Sequence, residues 1–241
     1  MILIFDYFET LLNTRSMDFN RGLKVLWEKY YSDKCTFDEI RVFGEEQFDH
    51  MLDHHAEGKE FPFVDEELPL YAEKFGGEVV SLSTDEEADF LMLCNEFEVN
   101  PVMDSFLREC SEKGVAMYVL SNSGFRGEAL MTILRRFGIG KYFKQLWSSA
   151  EFGRIKPCKE FFELAINTAL ADNPGEKKED IVFIGDTYET DVKGAYNAGI
   201  KAAWLNRKGE EDTENMVTYN ITEMGMLKGV YNELQNYFGN V

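Results

Sequence analysis

Cysteine, basic residues and long apolar runs are all scarce in this chain. The cysteines are scattered, with no CxxC spacing and no pairing with histidine, which argues against a zinc site and against a disulfide framework. We expect four free thiols, at Cys35, Cys94, Cys110 and Cys158. No window holds the roughly 18 consecutive apolar residues of a membrane span, and the amino terminus lacks a secretory pattern. We therefore expect a cytoplasmic protein with no membrane partner.

Negative charge dominates the composition. Lysine and arginine together number 25, against 44 aspartate and glutamate residues, so the formal net charge is -19. Such a surface repels polyanions, and no Lys/Arg run offers a local basic patch, so we do not expect nucleic acid as a partner. A small phosphorylated ligand is still allowed, because a few hydrogen-bond donors at its site can outweigh the average repulsion of the acidic surface. The sequence is silent on oligomeric state.

The pattern of apolar residues changes along the chain. The 241 residues are 44% hydrophobic, enough for one large domain or a core domain with an insertion. From about Asp18 to Phe97, including "TDEEADFLMLCNEFEV", apolar residues recur at helical spacing among many charges, which predicts a block of helices. Ser83, followed by several acids, has the pattern of a helix start. Asn100-Pro101 marks the boundary that follows.

Beyond that boundary, strand-like and helix-like segments alternate. Strands are predicted at "VAMYVL", "QLWSSA", "IVFIG" and "KAAWL", in addition to Ile2–Phe5 near the amino terminus. Helices are predicted between them, and a closing amphipathic helix is predicted over "ITEMGMLKGVYNELQNYF". This alternation is typical of an α/β fold with a doubly wound parallel sheet and helices on both faces.

Polar residues follow four of the predicted strands. They are Asp6, Ser121-Asn122, the segment "EFGRIKP" with Lys156, and Gly185-Asp186. Ligands collect at the carboxyl ends of strands in an open parallel sheet. Two carboxylates can hold Mg2+, while the ion, a lysine and a hydroxyl position a phosphoryl group for attack by Asp6. Each residue alone also fits a structural role in a turn or on the surface, and only the ordered set is specific.

These segments resemble the four ordered motifs of the haloacid dehalogenase-like (HAD) hydrolase superfamily. The similarity is carried by "FDYFETL", "LSNS", "GRIKP" with "KEFFELA", and "IGDTYETDVKGAYNAG". It spans residues 1–14 and about 100–206, so it implies a Rossmann-like core domain of residues 1–14 and 100–241. Residues 15–99 then resemble an inserted helical cap of the C1 type.

The resemblance also implies a role for each matching residue. Asp6 is expected to be the nucleophile that forms an aspartyl-phosphate and a ligand of Mg2+. Ser121, with Asn122 beside it, is expected to bind the phosphoryl oxygens. Lys156 is expected to stabilise the negative charge of Asp6 and of the phosphoryl group. The other expected metal ligands are Asp186 and the backbone carbonyl of Phe8. Asp191 is expected to support Asp186 or to reach the metal through water.

Phe8 departs from the family pattern. Most phosphatases of this superfamily have a second aspartate there, which protonates the leaving oxygen and then activates water, and phenylalanine does neither. Three hypotheses follow. The chain is a slow or specialised phosphohydrolase, a dehalogenase whose halide leaving group needs no proton, or a binding protein that retains phosphate and Mg2+ affinity with little turnover.

Two other groups in the sequence are candidate sources of the missing proton. Glu9 lies one residue too late, and adjacent side chains near a strand end point in different directions. His50 and His54 share a helix face and lie beside His55, so they offer a metal pair or a donor to the leaving group. A solvated polar helix face is the favoured interpretation of these histidines.

Overall fold

The computed structural model describes residues 1–223 together with residues 227, 229 and 232. In this part of the chain the strands are β1 (Ile2–Phe5), β2 (Leu12–Met17), β3 (Asn95–Val99), β4 (Ala116–Ser121), β5 (Leu146–Ser148), β6 (Ile181–Gly185), β7 (Lys201–Trp204) and β8 (Tyr219–Asn220). The helices are α1 (Phe19–Leu26), α2 (Phe37–Ala56), α3 (Leu68–Phe75), α4 (Thr84–Cys94), α5 (Pro101–Glu112), α6 (Gly127–Arg136), α7 (Ser149–Phe152), α8 (Lys159–Asp172) and α9 (Lys193–Asn197). No helix in these described ranges is long and apolar enough to cross a bilayer.

A six-stranded parallel sheet forms the centre of the molecule, in the order β5-β4-β1-β6-β7-β8. Side chains of β1 alternate between its two faces: Leu3 and Phe5 join the buried cluster that includes α5 and α6. Ile2 and Ile4 join the cluster that includes α8 and α9. Because both faces are covered, the strand is apolar throughout. The predicted α/β fold with a doubly wound parallel sheet is confirmed.

The strand order places a crevice beside β1. After β1 the chain builds the sheet on one side through β4 and β5, and then returns to the other side through β6 and β7. Strand order therefore reverses at β1, which is where ligands bind in open α/β sheets. Asp6 and Asp186 follow the adjacent strands β1 and β6 at this point.

The helices α1 to α4 lie between β2 and β3, and we call residues 18–94 the helical block. β2 and β3 pair as an antiparallel ribbon at its base. Ser83 caps the start of α4 as predicted. Its side chain accepts a hydrogen bond from Glu86 N–H, and the Glu86 carboxylate accepts one from Ser83 N–H. The division into a core of residues 1–14 and 100–241 and a cap of residues 15–99 stays a prediction.

Two predicted elements differ from the structure. The helix expected to continue to Phe97 ends at Cys94, since β3 pairs with β2 instead. The strand expected over "QLWSSA" stops at Ser148, whose side chain accepts from Ala150 N–H and so begins α7. The predicted closing helix lies almost entirely outside the described residues.

Candidate active site

Asp6 and Lys156 form a buried ion pair at the carboxyl end of β1. Lys156 Nζ lies 2.6 Å from Asp6 Oδ1 and 2.7 Å from Asp191 Oδ1. Lys156 is only 1% exposed and Asp6 only 7%. A lysine that is this deeply buried is held by its charge partners rather than by water. The surface interpretation of Lys156 is therefore wrong.

Asn122 aligns the segment that carries Lys156. Its Oδ1 accepts from Lys156 N–H at 2.7 Å, and its Nδ2 donates to the Lys156 carbonyl at 3.2 Å. Asn122 directly follows Ser121, the fully buried last residue of β4. Two of the predicted strand ends are thus tied together by one amide side chain, although they lie 34 residues apart in sequence.

The second and third carboxylates of the predicted set, Asp186 and Asp191, complete an acidic cluster with Asp6. Oxygens of Asp6, Asp186 and Asp191 all lie within 4.8 Å of one another. Asp191 Oδ2 accepts from Thr187 N–H at 3.0 Å, and a Cβ at Gly185 would collide with this carboxylate. The turn after β6 therefore needs glycine at this position.

This cluster fits a hard divalent cation. Carboxylate oxygens are the ligands that Mg2+ prefers, and the three acids with Lys156 carry a formal charge of -2, which one such ion balances. Within the described ranges, this is the one group of at least three His, Cys, Asp or Glu side chains arranged to hold a metal.

Burial and like charge govern ionisation in the site. Burial raises the pKa of Asp6 to about 7, even though the Lys156 ammonium beside it acts in the opposite direction. Burial and the neighbouring Asp191 also raise the pKa of Asp186. Burial lowers the pKa of Lys156, but the attraction of its two aspartates is greater, so the pKa is raised and the ammonium persists.

Phe8 contributes an aromatic contact where the family pattern has a carboxylate. Its ring centroid lies 4.7 Å from that of Tyr7 and 6.0 Å from that of Phe97 in β3. The side chain thereby packs the turn after β1 against the base of the helical block. It offers no polar atom to a leaving group.

Glu9 occupies a strained backbone position next to the site. Its φ is +56°, a conformation that few non-glycine residues adopt. Thr14 N–H donates to its Oε1 at 2.8 Å, and Arg207 donates to its carbonyl at 2.5 Å. Glu9, Arg207 and Asp186 line the same cavity of about 600 Å³. The Glu9 carboxylate thus has polar partners of its own beside the acidic cluster.

Two of the three histidine side chains of the helical block have other partners. His54 Nδ1 lies 2.8 Å from the His50 carbonyl, and its ring centroid lies 5.0 Å from that of Phe61. His55 Nε2 lies 2.9 Å from a buried carboxylate oxygen of Glu60. Sequence reasoning missed Glu60, because an acid in "GKEFPF" gives no sign of burial.

Parts of this chain are similar in sequence to proteins of known activity. A 118-residue stretch is 33% identical to pyrimidine 5'-nucleotidase YjjG of Escherichia coli, covering 48% of this chain and 50% of that protein. A 113-residue stretch is 28% identical to phosphoserine phosphatase of Thermus thermophilus, covering 46% of this chain and 42% of that protein. The chain thus spans no more than half the length of these curated relatives.

Solved structures share the fold. The 2-haloacid dehalogenase from Pseudomonas syringae pv. Tomato DC3000 superposes with a TM-score of 0.65 at 18% identity, covering 97% of this chain and 99% of that one. At this identity the similarity concerns the fold alone. The family model described as haloacid dehalogenase-like hydrolase matches residues 1–199. Together with the order and geometry of the four strand ends, this match places the chain in the haloacid dehalogenase-like hydrolase family.

Proposed function

We propose that this hydrolase is a Mg2+-dependent phosphohydrolase that acts on a small phosphorylated metabolite through an aspartyl-phosphate at Asp6. The observation that carries the proposal is the position of Asp6. It lies at the strand-order reversal, is paired with Lys156 at 2.6 Å, and shares a carboxylate cluster with Asp186 and Asp191. Relatives named as a nucleotidase and a phosphatase support a phosphorylated substrate.

The first step is nucleophilic displacement at phosphorus. A carboxylate oxygen of Asp6 attacks the phosphoryl group, the bond from phosphorus to the leaving oxygen breaks, and the phosphoryl group is then bound to Asp6. Lys156 holds Asp6 through Oδ1 and offsets its charge. The Ser121 hydroxyl and Asn122, at the end of β4, hold the phosphoryl oxygens.

Four groups are proposed as the magnesium site. Asp6, Asp186 and the Phe8 carbonyl would hold the ion, and Asp191 would support Asp186 or reach the ion through water. When bound, Mg2+ neutralises the phosphoryl oxygens as negative charge develops on them. The fixed positions of Lys156 and the acids limit the reorganisation needed during reaction.

Phe8 determines which substrates react well. With no carboxyl group at this position, the leaving oxygen must take its proton from water, from the substrate or from the helical block. The water that hydrolyses the acyl-phosphate likewise has no base at Phe8. Absence of general acid-base catalysis typically costs about a hundredfold to ten-thousandfold, so substrates with good leaving groups are favoured.

Dehalogenation is the second candidate, and Phe8 is the observation that favours it. A halide leaves without a proton, so the aromatic residue is no handicap to attack by Asp6 on carbon. The close set of three carboxylates supports the phosphohydrolase instead, because it is suited to a metal ion, which displacement of halide does not need. A phosphate-binding protein with little turnover is the third candidate. The C1-type cap and the cytoplasmic location are also retained as proposals.

The test is release of phosphate and of halide by the purified protein with and without Mg2+. The phosphate panel contains an aryl phosphate, an acyl phosphate, sugar phosphates and nucleotides, and the halide panel contains 2-haloacids. We expect Mg2+-dependent phosphate release that is lost in Asp6→Asn. Halide release without Mg2+, also lost in Asp6→Asn, would select the dehalogenase. Phosphate binding without either activity would select the binding role.

A further inference from the structure

One short segment of the helical block contacts two of the loops at the candidate active site. It comprises residues 58–63, directly after α2. Glu60 N–H donates to the Gly153 carbonyl at 3.1 Å, in the segment that leads to Lys156. Phe63 N–H donates to the Gly124 carbonyl at 2.8 Å, in the loop that follows Ser121. We call residues 121–125 the β4 loop.

The Glu60 side chain is the buried centre of this contact. It is 3% exposed, and its Oε2 accepts from Ser149 Oγ at 2.5 Å. Its Oε1 accepts from Phe61 N–H and from His55 Nε2, each at 2.9 Å. Burial raises the pKa of this carboxyl, but the donated hydrogen bonds together lower it below its usual range. Glu60 is therefore a carboxylate at neutral pH.

The Ser149 hydroxyl transmits the position of Glu60 to the β4 loop. Because its proton is donated to Glu60, its lone pairs face Ser123, whose N–H donates to Ser149 Oγ at 2.8 Å. Ser123 directly follows Asn122, which in turn holds the Lys156 backbone. A chain of hydrogen bonds thus joins Glu60, Ser149 and Ser123 to the residues placed at the phosphoryl group.

We infer that Glu60 is a positioning residue, which holds the β4 loop in its phosphate-binding conformation through Ser149. The inference rests on the proposed function for the claim that this loop binds a phosphoryl group. A glutamine at this position would present an amide N–H to Ser149 where the carboxylate now accepts. The Ser149 proton would then turn toward the Ser123 carbonyl, 3.4 Å away, and Ser149 Oγ would have to accept from both the amide and Ser123 N–H, which misaligns the bond to Ser123.

The chain offers a matched control in Glu87. This residue is also a fully buried glutamate of the helical block. It accepts from Arg126 N–H at 2.6 Å and from Arg126 Nε at 2.5 Å, so it too joins the block to the β4–α6 connection. Its partner lies at the start of α6, beyond the β4 loop. Glu87→Gln therefore weakens docking without touching Ser123.

The experiment compares wild type with Glu60→Gln, Ser149→Ala, the double variant and Glu87→Gln. Hydrogen exchange of the β4-loop amides is measured first, in the absence of ligand. Calorimetry with inorganic phosphate in the presence of Mg2+ is measured second, and thermal unfolding third. We call the hydrogen bonds from Glu60 through Ser149 to Ser123 the clamp. The rate of hydrogen exchange at Ser123 measures the clamp whether or not the protein hydrolyses phosphate. Phosphate affinity depends on the proposed function as well.

We expect Glu60→Gln and Ser149→Ala each to speed exchange at Ser123 and to weaken phosphate binding about tenfold, as for loss of one aligned hydrogen bond. The double variant should lose no more than either single variant, because both break one chain. Glu87→Gln should lower the melting temperature while leaving loop exchange and phosphate affinity within about twofold.

Equal exchange and phosphate affinity in Glu60→Gln and Glu87→Gln would overturn the inference and leave Glu60 as a docking contact. If Glu60→Gln does not fold, unchanged exchange in Ser149→Ala overturns it equally. If wild type binds no phosphate while Glu60→Gln still loosens Ser123, the clamp holds and the proposed function fails.

Discussion

Under the proposed phosphohydrolase mechanism, replacement of Phe8 by aspartate should speed the hydrolysis of alkyl phosphates. The aspartate supplies the general acid and base that the site lacks, which is worth about a hundredfold to ten-thousandfold in turnover. The gain should be largest for sugar phosphates and smallest for an aryl phosphate, whose leaving group needs little protonation. Steady-state phosphate release from both substrates measures it.

The same change should cost stability. Replacement of a fully buried phenylalanine by a small residue typically costs about 3–5 kcal/mol. Phe8 is only partly buried, against Tyr7 and Phe97, so we expect a loss of about 2 kcal/mol. In a chain of this size, that lowers the melting temperature by about 4–8 °C. Phe8→Asn is the matched control, because it loses the same packing without gaining an ionisable group. Equal turnover of alkyl phosphates by Phe8→Asp and Phe8→Asn would refute the reasoning.

Three further predictions concern charge. Lys156→Met should abolish turnover and lower the free energy of unfolding by about 3–5 kcal/mol, because it leaves Asp6 and Asp191 buried without their cation. Thermal unfolding with and without Mg2+ should show that the metal restores part of this stability. Mg2+ affinity measured by calorimetry should rise about tenfold per pH unit below pH 7 and level off above it, because burial raises the pKa of Asp6 to about 7 and the metal must displace that proton. Burial also raises the pKa of Glu67 from 4.5 to about 7, so the folded state binds the extra proton and stability should fall as pH rises between these values. The melting temperature of Glu67→Gln should lack this fall.

Local signals predicted much of the fold. The apolar run Ile2–Phe5 forms β1, and Ser83 begins α4 with the predicted capping pattern. The predicted end of α4 was wrong because the residues that follow it form a strand, which pairs with a segment far away in sequence. Leu12 of β2 pairs with Val99 of β3, and no local pattern in "NEFEV" identifies that pairing.

The sequence likewise predicted some residues of the candidate site and missed others. Asp6, Lys156 and Asp186 meet in space as the strand-end argument predicted, because parallel strands bring their carboxyl ends to one edge. Their catalytic roles stay predictions. Glu60 was missed because its partner Ser149 lies 89 residues away, and a single glutamate between a lysine and a phenylalanine is indistinguishable in sequence from a solvated one.

The turn after β1 was also beyond sequence reasoning. Glu9 adopts a positive φ and is fixed by Arg207, 198 residues later. Propensity predicts glycine or asparagine at such a position, so an acid there gives no warning of the turn. Glu9 and Asp186 line the same cavity, although 177 residues separate them in sequence.

The most direct test of the account is to look for a phosphoryl group on Asp6 during turnover. Wild-type protein with Mg2+ and an aryl phosphate is quenched in acid, and the peptide that contains Asp6 is examined by mass spectrometry. The account predicts a phosphoryl group on Asp6 that accumulates in wild type, because Phe8 supplies no base for its hydrolysis, and that falls in Phe8→Asp. Steady phosphate release with Asp6 unmodified, or with the phosphoryl group on another residue, would contradict it.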